Sequence, residues 1–138
     1  MEHRLFIGLG SNLGDRSALL DEALRLIDER VGRVVRVSSY YETEPWGFQS
    51  DNIFLNAAAL VITTLSPQCC LKETQHIERQ LGRVDKTVDG AFQDRPIDID
   101  LLMYDDLEVN EPDLTLPHPH IEEREFVQIP LQEILDED

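Results

Sequence analysis

The chain is short of several things, and each shortage narrows what it can be. Cysteine occurs twice in 138 residues, at Cys69 and Cys70. Adjacent cysteines are badly placed for a structural disulfide, which suits a reducing compartment. Neither has a neighbouring base in sequence, so thiol catalysis is not expected. No apolar run approaches the ~20 residues needed to span a bilayer. Met1-Glu2-His3-Arg4 leads into a strand-like segment rather than an apolar leader. The expectation is therefore a cytoplasmic protein with no membrane partner. Basic residues are scarce as well, 12 against 28 acidic ones, for a formal charge of −16. General nucleic-acid binders present a basic footprint, so no nucleic-acid partner is expected. Repeats, low-complexity tracts and linkers are absent. With 41% hydrophobic residues, the composition fits one domain spanning 1–138, expected as a monomer.

What the chain does have is a strand-like run with two acids in it, Arg95-Pro96-Ile97-Asp98-Ile99-Asp100-Leu101-Leu102-Met103-Tyr104. Successive strand side chains face opposite ways, so Asp98 and Asp100 share a face about 6.6 Å apart, with Ile97, Ile99 and Leu101 on the other. Such alternation also suits a merely solvated strand face. Asp is depleted in strands, however, and Leu101, Leu102 and Met103 continue the run with apolar residues on both faces. Two half-buried carboxylates repel each other and lose hydration unless a cation joins them. Oxygen ligands without a cysteine cluster favour Mg²⁺ or Mn²⁺, which leave positions for water and phosphate. The net charge points the same way, since an anionic substrate is repelled by so acidic a molecule unless cations and local arginines reverse the sign in the cleft.

The remaining pattern supplies the scaffold. His3 to Leu9 reads as a strand, and Gly10-Ser11-Asn12-Leu13-Gly14-Asp15 as a turn. Leu19, Leu20, Ala23, Leu24, Ile27 and Val31 recur at helical spacing, with Asp15 or Ser17 as cap and Gly32 as stop. Val34 to Tyr41 and Ile53 to Thr63 read as strands, joined by a loop carrying Trp46 and Phe48. Ser66-Pro67 is a helix start, and the helix continues to Gly82. The acidic strand follows, then a short hairpin between Leu107 and Leu116, and finally a helical or irregular cover interrupted by Pro130. Strand, helix, strand, strand, helix, strand is the order of an α+β, ferredoxin-like βαββαβ sandwich with C-terminal additions. Both helices are expected on one face, with the opposite face left free.

With these parts in order, six segments resemble the 6-hydroxymethyl-7,8-dihydropterin pyrophosphokinase family of folate biosynthesis. They are Gly10 to Asp15, Tyr41 to Gly47, Phe54 to Ala57, Gly82-Arg83, Arg95 to Asp100 and Leu116-Pro117-His118. The resemblance runs from about Arg4 to Leu131. It implies transfer of pyrophosphate from ATP to the pterin hydroxymethyl oxygen, giving the pterin diphosphate and AMP. It further implies that Asp98 and Asp100 hold two Mg²⁺ ions, with Arg83 and Arg95 beside the phosphates as further catalytic groups. Guanidinium forks suit phosphate oxygens.

By the same resemblance, Thr43, Pro45, Trp46, Phe54, Asn56 and Phe126 surround the pterin. A flat, amide-rich ring calls for stacking and directed hydrogen bonds. Leu71, Gln75, Glu78, Leu101, Thr115, His118 and Arg124 are implied at the nucleotide, along with Arg83 and Arg95. The chain departs from the family's pattern in places. Asp85 and Asp113 stand where members carry arginines, Phe92 where a Trp is found, Pro119 where an aromatic is common, and Phe54 where Tyr is frequent. The loops around Gly47 and Gly90 are the expected lids. Read without the resemblance, His118 and His120 would also suit a transition-metal pair. Glu78 would equally suit a solvated helix position, a metal-dependent phosphate hydrolase would use the two aspartates with His118 and His120, and a non-catalytic ligand-binding domain would have the same fold.

Overall fold

The long strands His3–Ser11 and Phe54–Thr63 are buried along nearly their whole length, and the two faces of their sheet are furnished differently. The computed structural model describes residues 1–12, 15–43, 53–82, 97–119, 121 and 125–135. Its elements are β1 (His3–Ser11), α1 (Arg16–Arg30), β2 (Arg33–Val37), β3 (Tyr41–Thr43), β4 (Phe54–Thr63), α2 (Pro67–Gln80), β5 (Asp98–Tyr104), β6 (Val109–Glu111), β7 (Leu114–Leu116) and α3 (Glu125–Leu135). The main sheet runs β2-β4-β1-β5 with every neighbour antiparallel, and β3 also pairs with β4. The helices α1 and α2 therefore each join two parallel strands with a third between them, which is the ferredoxin-like α+β arrangement expected from the sequence.

Local chemistry starts the helices where the sequence indicates. The Asp15 carboxylate accepts from the Ala18 N–H at 3.2 Å, and the Ser66 hydroxyl accepts from the Cys69 N–H at 3.2 Å, with Pro67 opening α2. Gly82 has φ of 109°, a left-handed stop that a side chain would strain. Gly32 is needed for a different reason, because a Cβ there would lie 2.3 Å from the Ile62 carbonyl oxygen.

On one face, Leu20, Ala23 and Ile27 of α1 and Cys70 and Ile77 of α2 close over Leu5, Ile7 and Leu9, Ala57, Ala59 and Val61, and Ile99 and Leu101. The other face departs from expectation, since it is partly covered rather than free. Phe6, Ala58, Leu60 and Leu102 pack there with Val127, Leu131 and Ile134 of α3. Pro130 lies inside that helix without ending it. Its ring is buried, and apolar packing on both sides of it offsets the one backbone hydrogen bond lost. Arg36 donates to the Ile134 carbonyl at 2.9 Å, while Glu133 accepts from the Ser39 N–H at 2.6 Å and its hydroxyl at 2.8 Å.

Two strand boundaries also differ. The segment read as one strand from Val34 to Tyr41 is divided into β2 and β3. Its register against β4 shifts between Val34 and Arg36, and the Ser38 hydroxyl takes the Ala58 N–H at 2.9 Å. In contrast, β1 runs on through Gly10 and Ser11, which the local pattern marks as turn. Their pairing with Asn56 and Leu55 of β4 supplies backbone partners that a local pattern does not reveal.

Candidate functional site

The extension of β1 creates the centre of the site. Gly10 pairs with Asn56 on one side and with Asp98 on the other, so Asn56, Gly10 and Asp98 form one row across β4, β1 and β5. The next row is Ala58, Gly8 and Asp100. Asn56 and Asp98 are two strand spacings apart, roughly 10 Å, with glycine between them. A Cβ on Gly10 would lie 2.8 Å from Asn56 Oδ1 and 3.6 Å from Phe54 Cδ1. The bare backbone is thus the floor of a trough walled by Asn56 and Phe54 on one side and by acids on the other.

The expected sharing of a face by Asp98 and Asp100 holds. Both are half-buried, while Ile99 and Leu101 are buried in the helix-covered core. Leu102, two residues on from Asp100, lies on the same face as the acids and packs under α3, and the register against β1 shifts at this point, between Phe6 and Ile7. The bulge therefore marks the boundary between the acidic and apolar parts of β5.

A second hollow opens along the outer side of β5. About 270 Å³ in volume, it is lined by Leu71 and Gln75 of α2, Asp100 and Leu101 of β5, Thr115 of β7, and His118, among others. The resemblance implies Leu71, Gln75, Leu101, Thr115 and His118 at the nucleotide, and the fold brings the five to one cavity. The His118 N–H donates to the Leu102 carbonyl at 2.8 Å, tying this wall to β5. Asp113 and Pro119 line the same cavity, so two of the departures noted in the sequence fall at this site.

Glu78 departs from the solvated alternative, being 3% exposed. Its Oε2 accepts from the Ile99 N–H at 2.7 Å. Arg83, Arg95, Pro45, Trp46 and Arg124 lie outside the described residues, as do the side chains of Thr43 and Phe126. The same is true of the loops around Gly47 and Gly90, of Asp85 and Phe92, and of His120. Burial pushes the Cys70 thiol up to about 11, so it stays protonated near neutrality.

A trough and a cavity thus meet at two carboxylates, a layout suited to joining two small ligands. A family model described as 7,8-dihydro-6-hydroxymethylpterin-pyrophosphokinase matches residues 6–136. The chain belongs to that family. Among its relatives is the 2-amino-4-hydroxy-6-hydroxymethyldihydropteridine pyrophosphokinase of Porphyromonas gingivalis, 49% identical over 131 residues that cover 94% of this chain and 89% of the relative. The enzyme of the same name in Bacillus subtilis is 39% identical, over 97% of this chain and 79% of its own length. Plasmodium falciparum HPPK-DHPS superposes with a TM-score of 0.79 at 16% identity. That likeness concerns the fold, and this chain spans 42% of the Plasmodium chain.

As a member of the pyrophosphokinase family, the protein is a diphosphotransferase of folate biosynthesis, moving the pyrophosphoryl group of ATP to hydroxymethyldihydropterin. Sequence reasoning missed two contributors to this pyrophosphokinase site. Gly10 was read as turn, although Gly8 and Gly10 alternate with Ile7 and Leu9 in the pattern of a strand having one bare face. Arg16 was not singled out. It donates to the Ile53 carbonyl at 2.7 Å and to Glu42 at 3.1 Å, fixing both stems of the segment that carries Pro45 and Trp46. No local signal identifies that pairing, because the partners come from distant parts of the chain.

Proposed function

We propose that this protein joins its two substrates across Asp98 and Asp100, with the pterin in the trough over Gly10 and the nucleotide in the cavity beside β5. The observation that carries this reading is the single row of Asn56, Gly10 and Asp98, with Asp100 lining the adjoining cavity. A flat ring placed over Gly10 meets the Asn56 amide and the Phe54 ring, which lie within 4 Å of where a Cβ on this glycine would be. Asn56 then offers one donor group and one acceptor to the ring edge, and Phe54 offers an aromatic wall. Thr43, Pro45, Trp46 and Phe126 complete that pocket by resemblance.

In the nucleotide half, Leu71 and Leu101 supply apolar walls for a base, while Gln75, Thr115 and His118 supply polar contacts. Arg83, Arg95 and Arg124 are assigned to the phosphates. The donor set at the centre fits Mg²⁺. Among the described residues no group of three or more His, Cys, Asp or Glu is placed to hold a metal. Two carboxylates on one strand face are the ligand number that magnesium takes when phosphate and water complete its shell, whereas structural zinc needs four protein ligands. When bound, two such ions would neutralise the triphosphate and lower the pKa of the pterin hydroxyl.

In the reaction the hydroxymethyl oxygen forms a bond to the β-phosphorus, and the bond from that phosphorus to the α,β-bridging oxygen breaks. AMP departs, and the hydroxyl proton passes to solvent. The protein's own contribution is alignment. The trough and the cavity hold nucleophile and phosphorus on opposite sides of the acidic pair, and such positioning supplies much of the rate in phosphoryl transfer. The reaction is placed in the cytoplasm, on a monomer. Incubation with ATP, Mg²⁺ and 6-hydroxymethyl-7,8-dihydropterin should yield AMP and pterin diphosphate in equal amounts, and chelation of the metal should abolish both. Release of free phosphate without the pterin would refute the reading.

A further inference from the structure

We infer that Glu78 is a positioning residue, holding the outer edge of β5 so that Asp98 and Asp100 stay on one face. The inference rests on the reading of those two aspartates as the cation pair, and it assigns Glu78 a task other than contact with nucleotide. Among the described strands, β5 has a neighbour on one side only, β1. An edge strand leaves alternate N–H and C=O groups without sheet partners. Here two of those outward groups are engaged from elsewhere. Glu78 Oε2 accepts the Ile99 N–H at 2.7 Å, and the Leu102 carbonyl accepts the His118 N–H at 2.8 Å.

Ile99 is the residue between the two aspartates, so the point of attachment could not lie closer to both. Glu78 itself is 3% exposed, and burying a carboxylate is costly unless it is well bonded. Its bond to the Ile99 N–H, at 2.7 Å, satisfies an acceptor that would otherwise be buried away from water. The helical register explains how α2 reaches the strand. Leu71, Gln75 and Glu78 recur at intervals of four and three, on one face of α2. The first two line the nucleotide cavity, and the third, one turn further on, holds the strand. The cavity wall and the metal strand are thereby fixed to each other by one rigid helix. Two acids repelling across one strand face tend to twist an unheld edge, and a one-residue slip would send both to the core side.

The experiment compares Glu78→Ala, Glu78→Asp and Glu78→Gln in the full chain. The Ile99 amide should exchange with deuterium faster in the Ala and Asp variants without substrates, while amides of α1 keep their protection. In the same two variants kcat should fall roughly tenfold to a hundredfold, the scale on which small misplacements of aligned groups act. More Mg²⁺ should be needed for half-maximal binding of a non-hydrolysable ATP analogue, with the pterin KM little changed. Gln keeps an acceptor of the same reach and should restore both protection and turnover. If Glu78→Ala does not fold, Glu78→Asp alone decides, since it shortens the reach by one methylene. Unchanged Ile99 exchange overturns the clamp, and so does normal kcat and Mg²⁺ dependence when exchange is fast. Failure of the underlying reading looks different, because Asp98→Ala would then retain full activity whatever Glu78 does.

Discussion

The face of the sheet away from α1 and α2 has two ends built on the same three strands, and they have opposite characters. At one end Phe6, Ala58, Leu60 and Leu102 lie under α3, with Val127, Leu131 and Ile134 above them. At the other, Asn56, Gly10 and Asp98 follow along the same β4, β1 and β5, joined by Phe54 and Asp100. Side-chain volume accounts for the difference. Large apolar residues need a cover and recruit the helix, whereas Gly8 and Gly10 remove the bulk that would fill the space. Plain alternation lets β5 serve both ends, since Asp98, Asp100 and Leu102 share one face, with the acids at one end and the apolar anchor at the other.

Substitutions at the two ends should separate stability from chemistry. The largest change is expected at the covered end. Leu60→Ala should lower stability by about 3 kcal/mol through lost burial and a cavity, leaving kcat near normal well below the melting temperature. Thermal unfolding followed alongside AMP formation checks both parts.

At the open end, Asp98→Ala or Asp100→Ala should lower kcat by at least about 10²-fold, as expected when a major charge-stabilising element is lost. Neither should reduce the melting temperature, because relief of carboxylate repulsion offsets the lost contacts. A large drop in stability in either variant would erase the contrast between the ends.

A smaller effect is expected at the trough floor. Gly10→Ala places a methyl 2.8 Å from Asn56 Oδ1, so the amide must shift. The pterin KM should rise about tenfold, the scale of one hydrogen bond to the ring, while the KM for ATP stays unchanged. An equal rise in both constants would mean that trough and cavity are not separate half-sites.

The smallest effect concerns the ties of α3. Hydrogen bonds from the Ser39 backbone N–H, then from its hydroxyl, and also from Tyr41 outweigh desolvation and hold Glu133 below its ordinary value of 4.5. A carboxylate depressed on folding contributes stability that is fully present above its unfolded value and is lost as pH falls through the folded one. The melting temperature of the wild type should therefore exceed that of Glu133→Gln at pH 7, and the gap should close below about pH 4.5. A gap that persists in acid would remove Glu133 from the anchoring of the covered end.

Much of this was open to reading along the chain, for local reasons. Ser66-Pro67 starts α2 because a hydroxyl cap and a fixed φ act within three residues. The faces of β5 follow from a period of two, which sorts Asp98 and Asp100 from Ile99 without reference to any other strand. The nucleotide set came from resemblance, and the fold gathers its described members, apart from Glu78, at one cavity. What escaped reading depends on partners distant in sequence. Ser38 divides a strand because Ala58 needs its hydroxyl, and β1 continues through Gly10 because Asn56 and Asp98 flank it. Pro130 does not break α3 because Phe6, Leu60 and Leu102 wait beneath the helix.

The order of the residues alone determined the succession of elements, the acidic pair and its shared face, since these depend on helical and strand periods and on caps that act over a few bonds. Tertiary structure decided that a glycine lies between Asn56 and Asp98, that Glu78 turns inward to Ile99, and that α3 packs over Phe6, Leu60 and Leu102. Those outcomes follow from which strands become neighbours, and a neighbour fifty residues away supplies hydrogen bonds and space that no local pattern encodes.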